Sequence, residues 1–386
     1  MIQSYKIRLE PNNKQQSKLF QGAGTARWAY NYTLARMREH YKETGKSISE
    51  GVLRKELTQL KQTDEYSWLY NYSNNIVKQA IKDGYDAYDK FFKGLASFPK
   101  FKSKKKSKPS FYVDTHKVQF NGTHVKLEKL TPTKKKNKQL FNWIKLSEKD
   151  RIPCGEGIKY YNPRVSFDGL HWYISVSVEV EDIIQENTGD GLGIDLGISE
   201  LAICSDGKRY KNINKTKRVR KIEKRLKRLQ RQVSRKYDMN KDGTQYIKTK
   251  NIVKLESTIK KMHNQLNNIR TDYKHKTTTE IVKTKPSRIV VEDLNVSGMM
   301  KNRHLSKAVQ NQGFYEFKTI LNYKCNKYGI EFIQADRWFR SSKICSDCGI
   351  IKKDLKLSDR IYSCECGLNI DRDYNASLNL ANYQVL

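Results

Sequence analysis

In the first hundred positions, one short segment alternates between apolar and polar residues, and the segments after it show the spacing of helices. In residues 2–9, apolar and polar side chains alternate up to Pro11, which predicts a half-buried strand that ends in a turn. Residues 13–44 predict a helix, and we expect this helix to break or bend near Gly22 and Gly24. A second helical stretch places five apolar side chains on one face, namely Val77, Ile81, Tyr85, Tyr88 and Phe92. A strand followed by a small helical domain is therefore expected.

Residues 112–182 are dominated by alternation with a period of two. In the clearest case, single residues separate five apolar ones, namely Trp172, Ile174, Val176, Val178 and Val180. Such a segment predicts a strand with one buried face. Residues 118–130 and 140–146 also predict strands. We expect the whole region to form a β-rich barrel or sheet.

The pattern changes after an acidic linker at residues 181–190. Short strands are predicted at 192–194 and 201–203. Apolar residues then recur at spacings of three and four over 219–233 and again over 255–273, which predicts an antiparallel helical hairpin. The other positions of its first helix are mostly Arg and Lys. This basic face is either a solvated surface or a contact for a nucleic-acid backbone.

The net charge of the chain indicates which class of partner it binds. Lys and Arg number 75 against 41 Asp and Glu, which leaves a formal net charge of +34. This excess favours a large polyanion, and nucleic acid fits best. The sequence has no run of roughly 18 apolar residues and no signal-peptide stretch at its start, so we expect no membrane partner and a cytoplasmic location.

A lysine-rich segment between Phe98 and Phe111 combines basic and aromatic residues. It is too polar to bury a core of its own, so one interpretation is a solvated loop. The other is contact with nucleic acid, because aromatic rings such as Phe101 stack on bases while lysines neutralise phosphates. The candidate backbone contacts are Lys100, Lys102, Lys104, Lys105 and Lys106.

Four of the seven cysteines cluster near the end of the chain with metal-binding spacing. Cys345 and Cys348 are separated by two residues, a gap of 15 follows, and Cys364 and Cys366 are separated by one. This arrangement is close to that of zinc ribbons, so we expect one structural Zn²⁺ bound by four thiolates rather than disulfides. The remaining cysteines show no metal spacing and are interpreted as ordinary thiols: Cys154, Cys204 and Cys325.

Three acidic residues lie at the ends of predicted strands or at the start of a helix. Asp195 ends GLGID, Glu292 follows an apolar run in RIVVED, and Asp373 begins a predicted helix. Carboxylates at strand ends can converge in an α/β sheet, and hard oxygen ligands suit Mg²⁺ or Mn²⁺. Two such ions about 3.5 to 4 Å apart can drive phosphodiester cleavage. The set therefore favours a metal-dependent nuclease.

The order of these motifs resembles a known family. GIDLGISELAICSDG, VVEDLNVSGMMKN, WFRSSKICSDCG and YSCECGLNIDRDYNASLNL follow one another, and the N-terminal YKIRLEPNNKQ and the tract PKFKSKKKSKPSF fit the same pattern. Over nearly its whole length the chain resembles the TnpB (OrfB) proteins of insertion sequences, which are related to type V CRISPR effectors. Two departures are Arg340, where the family often has Pro, and the short Cys364–Cys366 spacing.

The resemblance implies an α/β multidomain fold, with an RNase H-like (RuvC) core that carries an inserted zinc ribbon and follows a helical recognition domain and a β-barrel wedge domain. The implied boundaries are 1–10 and 112–182 for the wedge barrel, 11–111 for the recognition domain, 190–324 and 371–386 for the RuvC-like nuclease, and 325–370 for the ribbon that binds target nucleic acid.

The resemblance also implies an activity, which is RNA-guided cleavage of double-stranded DNA next to a short flanking motif. The guide RNA would derive from a transposon end, and the protein would associate with the nucleoid when bound to DNA. By motif, Asp195, Glu292 and Asp373 are the catalytic acids that hold the divalent metal, and Asp371 is an alternative ligand. No small-molecule substrate is expected. Two other functions stay open, namely a nuclease-silent RNA-guided repressor and a transposase.

Overall fold

The computed structural model describes residues 1–104, 106–130, 141–181, 186–187, 189–356 and 359–384. The chain forms two compact units, Met1–Glu181 and Asp182–Leu386. The helices are α1 Asn13–Thr44, α2 Glu50–Leu60, α3 Asn74–Phe92, α4 Lys217–Met239, α5 Lys250–Val282, α6 Val296–Lys301, α7 Ser306–Gln312, α8 Phe314–Lys327 and α9 Arg372–Ala381. Within these described ranges, none of them has the length and apolar character needed to cross a membrane.

The strands form two main sheets and two small hairpins. They are β1 Ile2–Glu10, β2 Ser110–Tyr112, β3 Gln119–Phe120, β4 His124–Lys126, β5 Trp143–Leu146, β6 Tyr160–Phe167, β7 Trp172–Glu179, β8 Gly191–Asp195, β9 Glu200–Cys204, β10 Arg209–Lys211, β11 Lys241–Asp242, β12 Gln245–Tyr246, β13 Arg288–Glu292, β14 Glu331–Ala335, β15 Ile361–Ser363 and β16 Asn369–Asp371.

The first unit contains an open antiparallel sheet of seven strands in the order β2-β6-β7-β1-β5-β4-β3. The alternation predicted for β7 is confirmed, because Trp172, Ile174, Val176 and Val178 are all buried. The predicted closed β-barrel is wrong for the described residues. The outermost strands β2 and β3 have only three and two residues, and each pairs with a single neighbour, so the sheet keeps two edges.

Of the break or bend predicted near Gly22 and Gly24, the break is wrong, because helix α1 is continuous from Asn13 to Thr44. A side chain at Gly22 would meet Phe111 and Ile76 at ordinary contact distances of 3.5 to 3.6 Å, so the packing of the helix on β2 does not require a glycine at this position. A capping box formed by Asn12 fixes the start of the helix. The second helical prediction, α3, is confirmed, with Val77, Ile81 and Tyr88 buried against α1.

The second unit is built on a mixed five-stranded sheet in the order β10-β9-β8-β13-β14. Strands β8, β13 and β14 run parallel to one another, while β9 is antiparallel to β8. Helices α5 and α8 cover one face, where Ile289 and Val291 are buried, and α9 covers the other, where Leu380 packs on Val290. Because β14 belongs to this sheet, the sheet extends past residue 324, where the sequence places the end of the nuclease domain.

Helices α4 and α5 form the predicted antiparallel hairpin. Leu226 and Leu266 are buried in the apolar seam between them. The Tyr237 hydroxyl donates a hydrogen bond of 2.6 Å to Glu256 near the tip of the hairpin. Near its base, Arg270 of α5 pairs with Glu223 of α4 at 2.9 Å.

Candidate active site and cysteine cluster

The structure brings Asp195 and Glu292 to the same end of adjacent parallel strands. Each is the last residue of its strand, and the register pairs Ile194 with Val291 just before them. Asp373 lies in the first turn of α9, which packs on β8. All three acids are partly buried. The three residues that the sequence predicts as a set therefore lie around one end of the sheet.

Gly193 allows α9 to lie close against β8. A side chain at this position would overlap the Ser377 carbonyl oxygen and the Ala381 amide nitrogen of the helix backbone. Only glycine is compatible with such an approach of backbone to backbone. This contact sets the position of the helix that carries Asp373 relative to the strand that carries Asp195.

The electrostatics of the acids reflect their proximity. Burial raises the pKa of Asp195 well above its ordinary value, and the negative charges of Glu292 and Asp373 raise it further. Burial also raises the pKa of Glu292, with contributions from Asp293 and Asp373 that Lys318 partly offsets. Carboxylates that repel one another in this way are suited to a shared divalent cation, which would supply positive charge. Among groups of three or more possible metal ligands in the described residues, only the four cysteines already have their ligand atoms within 4.8 Å of one another.

Asp373 and Asp371 have different surroundings. The guanidinium of Arg372 donates two hydrogen bonds to Oδ1 of Asp373, at 3.2 and 3.0 Å, and Arg360 lies 3.8 Å from Oδ2. The Oδ1 atom of Asp371 instead accepts a hydrogen bond of 2.9 Å from the backbone N–H of Tyr374, so Asp371 caps α9. The oxygen of Asp371 that could bind a metal thus already has a structural role as the N-cap of the helix.

A cavity of about 540 Å³ opens beside Asp373. Its lining residues are Ser199, Glu200, Arg209, Lys211, Asn212, Lys215, Thr216, Arg360, Asp371 and Asp373. Four of these side chains are cationic. A cationic wall beside Asp373 is suited to a nucleic-acid strand, because lysines and arginines can bind its phosphates.

The four clustered cysteines converge as the spacing predicts. Their sulfur atoms all lie within 4.8 Å of one another. Sγ of Cys345 is 3.6 Å from Sγ of Cys366, and Sγ of Cys348 is 3.5 Å from Sγ of Cys364. A tetrahedral zinc with Zn–S bonds of about 2.3 Å needs sulfur separations of about 3.8 Å. The cluster can therefore hold a zinc ion.

Tight turns closed by glycine shape both halves of the cluster. Gly349 and Gly367 have positive φ angles of 76° and 96°. The N–H of Gly349 bonds to the Cys345 carbonyl, and that of Gly367 bonds to the Cys364 carbonyl, each at 3.0 Å. The second turn joins β15 to β16, and it accommodates the short spacing of the second cysteine pair.

Backbone hydrogen bonds also prepare Cys345 for metal binding. Burial alone would raise the pKa of this thiol, but bonds from the backbone N–H groups of Cys348 and Asp347 contribute to lowering it to about 7. The deprotonated thiolate is the form that binds metal, and a lowered pKa makes this form available near neutral pH.

The lysines predicted to contact nucleic acid do not share one environment. The amine of Lys102 lies 3.6 Å from the centre of the Tyr30 ring, and Asn31 bonds to the Lys102 backbone in both directions, at 2.8 and 2.9 Å. Lys102 is therefore part of the packed structure. Three others are exposed, namely Lys100, Lys104 and Lys106. Lys105 lies outside the described residues.

Sequence patterns missed several residues near the acids. Arg360 and Arg372 contact Asp373, yet nothing in their spacing distinguishes them from other basic residues. Two asparagines of α9, Asn375 and Asn379, are buried and bond to the segment before and around Cys345. Their separation of four residues on one helix face was the signal that could have identified them.

Comparison with known proteins agrees with these features. Residues 175–303 match a family described as "Probable transposase", residues 314–380 match the "Cas12f1-like, TNB domain", and residues 1–46 match a "Helix-turn-helix domain". In the structure, residues 1–46 contain strand β1 and the single helix α1.

Two relatives named "Putative RNA-guided DNA endonuclease" match almost the whole chain. The one from Streptomyces pristinaespiralis is 31% identical and is aligned over 98% of this chain and 88% of its own length. The one from Escherichia coli (strain K12), InsQ, is 28% identical over 98% of this chain and 91% of its own length.

A solved structure shares the fold. The Cas12f1 chain of a Cas12f1-sgRNA-target DNA complex matches with a TM-score of 0.61 at 14% identity, covering 99% of both chains. This likeness concerns the fold alone. Together with the relatives above, the motifs around the acids and the cysteines show that the chain belongs to the TnpB (OrfB) family of RNA-guided DNA endonucleases.

Proposed function

We propose that the protein cuts DNA at a RuvC-like site formed by Asp195, Glu292 and Asp373, which hold Mg²⁺ or Mn²⁺. The observation that supports this proposal best is the convergence of the three carboxylates at one end of the sheet, where they raise the pKa of Asp195. Buried carboxylates with raised pKa values, as Asp195 and Glu292 have, destabilise a fold unless a cation compensates their charge.

The chain's own residues would divide the work of hydrolysis. When bound, two divalent cations would activate a water and stabilise the leaving oxygen. Ionised Asp195, Glu292 and Asp373 provide hard oxygen ligands. Arg209 and Lys215 line the cavity beside Asp373, where they would bind the phosphates of the strand.

We further propose that guide RNA and double-stranded DNA are the partners. The relatives above are named as RNA-guided DNA endonucleases, and the matched solved structure is a complex with an sgRNA and target DNA. In such systems, base pairing with the guide reads the target strand, while the protein recognises a short flanking motif. The guide would derive from the transposon end. Exposed Lys100, Lys104 and Lys106 would contact the nucleic-acid backbone.

The proposed domains follow the same scheme. The nuclease comprises 190–324 and 371–386 together with β14, which belongs to its sheet, and the four cysteines hold one structural Zn²⁺ in the ribbon inserted between β14 and residue 371. In the first unit, 1–10 and 112–182 form the wedge domain as an open sheet, while 11–111 form the recognition domain.

Co-purification and cleavage test the function directly. The protein is expressed with its flanking DNA, bound RNA is sequenced, and Mg²⁺-dependent cleavage of a target library with randomised flanks is measured. We expect a discrete RNA, cleavage beside one flanking motif, and loss of cleavage in Asp195→Ala. Asp206→Asn, which changes a surface acid of the same unit paired with Lys208, should cleave normally.

The other outcomes distinguish the alternatives. RNA-directed binding without cleavage by the unchanged protein would indicate a repressor. Joined transposon ends formed without RNA would indicate a transposase, the function named in the description of the family match over residues 175–303. Either result would overturn the proposed nuclease.

A further inference from the structure

Two asparagines of α9, Asn375 and Asn379, are buried on one face of the helix. Asn375 is fully buried and Asn379 is 7% exposed. Residues four apart on a helix point in the same direction. Asparagine is a poor helix former, and a buried carboxamide is costly unless it is hydrogen-bonded. Their presence in a helix of ten residues therefore calls for specific partners.

The partners lie on either side of the first cysteine of the cluster. Oδ1 of Asn375 accepts a hydrogen bond of 3.0 Å from the N–H of Ser346, and its Nδ2 donates one of 2.7 Å to the Ile344 carbonyl. Nδ2 of Asn379 donates to the same Ile344 carbonyl and to that of Ser341, both at 2.7 Å. The backbone that flanks Cys345 is thereby fixed to α9.

The same helix is fixed to the acids on its other side. Gly193 of β8 meets the helix backbone at Ser377, so α9 has little freedom to shift against the strand that ends in Asp195. Asp373 lies two residues before Asn375, in the first turn. Any rotation of α9 allowed by loss of the asparagine contacts would move the Asp373 carboxylate relative to Asp195.

We propose that Asn375 and Asn379 are positioning residues that couple the cysteine cluster to the catalytic acids. The turn around Cys345 holds α9 through these two side chains, and α9 places Asp373 beside Asp195. Zinc binding and Mg²⁺ binding then assist each other, and by linkage the assistance is reciprocal. This inference rests on the proposed function, because it assigns the zinc ribbon a part in the metal-dependent cut.

The test compares Asn375→Ala/Asn379→Ala with wild type as zinc-loaded protein. Four quantities are measured: the rate of zinc transfer to a chelator, Mn²⁺ affinity from the electron paramagnetic resonance of free Mn²⁺, the Mg²⁺ concentration for half-maximal cleavage with guide RNA, and guide RNA affinity. We expect faster zinc loss, a roughly tenfold lower Mn²⁺ affinity and a roughly tenfold higher Mg²⁺ concentration for half-maximal cleavage. This is the scale typical of residues that hydrogen-bond behind metal ligands. Guide RNA affinity should stay unchanged, as should all four quantities in the control Asn382→Ala, an exposed asparagine at the end of α9.

A second comparison separates coupling from general loss of stability. Cys348→Ser is introduced into wild type and into the asparagine variant. Coupling predicts that Cys348→Ser weakens Mn²⁺ binding in wild type but adds little in the asparagine variant, because the link is already broken. Additive effects, or normal Mn²⁺ binding in the asparagine variant, would overturn the proposal. If the double variant does not fold, Asn379→Ala alone, which leaves both Asn375 bonds, gives the same comparison.

The two proposals fail in different ways. Zinc transfer and Mn²⁺ affinity are measured without guide or DNA, so they test the coupling even if no target is cut. If wild type cuts no target but the metal couplings hold, the proposed function fails and the link between the two clusters stands. If wild type cuts normally but the couplings are absent, the inference alone fails.

Discussion

The carboxylate of Asp195 combines the proposed catalytic role with a cost to stability. Its pKa is raised well above the ordinary value by burial and by Glu292 and Asp373, so its negative charge destabilises the metal-free fold. We predict that Asp195→Asn lowers cleavage by roughly a hundredfold or more and raises the melting temperature measured in EDTA. Cleavage assays and thermal unfolding check the two effects.

The pH dependence follows with a definite sign. Because the folded pKa of Asp195 exceeds the unfolded one, the folded state binds the proton more tightly, so the contribution of Asp195 to stability falls as pH rises from the ordinary value of 3.8 toward the raised one. Asp195→Asn should lack this decline. A variant that is less stable than wild type at neutral pH without metal would contradict the argument, and Asp206→Asn provides the control.

Lys324 is a buried amine that donates to uncharged oxygens of the described residues. It donates hydrogen bonds of 2.5 to 2.7 Å to the His275 carbonyl and to the hydroxyls of Thr278 and Thr279, and burial lowers its pKa to about 8 from 10.5. The unfolded chain therefore binds more protons than the folded one between these two values, and stability should rise with pH across that window. We predict that Lys324→Met removes this rise, as measured by urea unfolding at pH 7.5 and 9.5.

The quantity to compare is the difference in unfolding free energy between wild type and Lys324→Met, because other groups titrate over the same pH range. Lys283→Met changes an exposed lysine at the end of α5 and should leave the pH dependence of wild type intact. Parallel stability curves for wild type and Lys324→Met would show that the amine keeps its ordinary pKa in the fold.

At the scale of elements, helix α9 lies so close to strand β8 that only glycine fits at position 193. Gly193→Ala would place a methyl group inside the backbone of α9, so we predict a loss of more than about 2 kcal/mol in the free energy of unfolding and loss of cleavage. Gly24→Ala is the matched control. It lies inside α1, has open space around it, and should gain about 0.5 to 1 kcal/mol. Urea unfolding of both variants measures the contrast, and similar effects would contradict it.

The sequence predicted elements whose pattern is local. The strand at 172–180 was predicted from alternation, and α4 and α5 from apolar residues spaced three and four apart. Both patterns depend only on which nearby side chains are buried, and these elements are confirmed. Closure of the first sheet was predicted wrongly because it depends on whether β2 and β3 pair, which no pattern within either strand encodes. The break predicted at Gly22 and Gly24 was wrong because single glycines cost a helix only about 1 kcal/mol each, and α1 continues through both.

The same distinction applies to the candidate site. The cysteine spacing encodes two turns that are closed within a few residues, so the convergence of the four sulfurs could be predicted. The acids could be selected because each ends a strand or begins a helix. Arg360 gains its role from a contact made across the fold, and nothing in its spacing selects it. Asn375 and Asn379 share one helix face by their spacing of four, but their partners around Cys345 lie elsewhere in the sequence and no local pattern names them.

At the scale of the whole molecule, the net charge of +34 is concentrated in part on one helix. The face of α4 opposite the hairpin seam carries six exposed cations, namely Lys217, Lys221, Lys224, Arg228, Arg231 and Arg235. Among the residues that the structure describes, none of the six forms an ion pair, while Glu223 of the same helix pairs with Arg270. Like charges at this spacing repel one another, so a polyanion on this face would stabilise the helix.

The salt dependence of nucleic-acid binding tests whether this face neutralises phosphates. We predict that replacing Lys224, Arg228 and Arg231 with Gln reduces the slope of log affinity against log salt concentration by about 2 to 3, because each lost phosphate contact removes roughly 0.7 to 0.9. The matched control replaces three exposed lysines that already pair with aspartates on their own helices, namely Lys82, Lys93 and Lys276. It removes the same charge from the molecule. If both triple variants lower the slope equally, net charge alone governs binding; if only the α4 variant does, the nucleic acid lies along this helix.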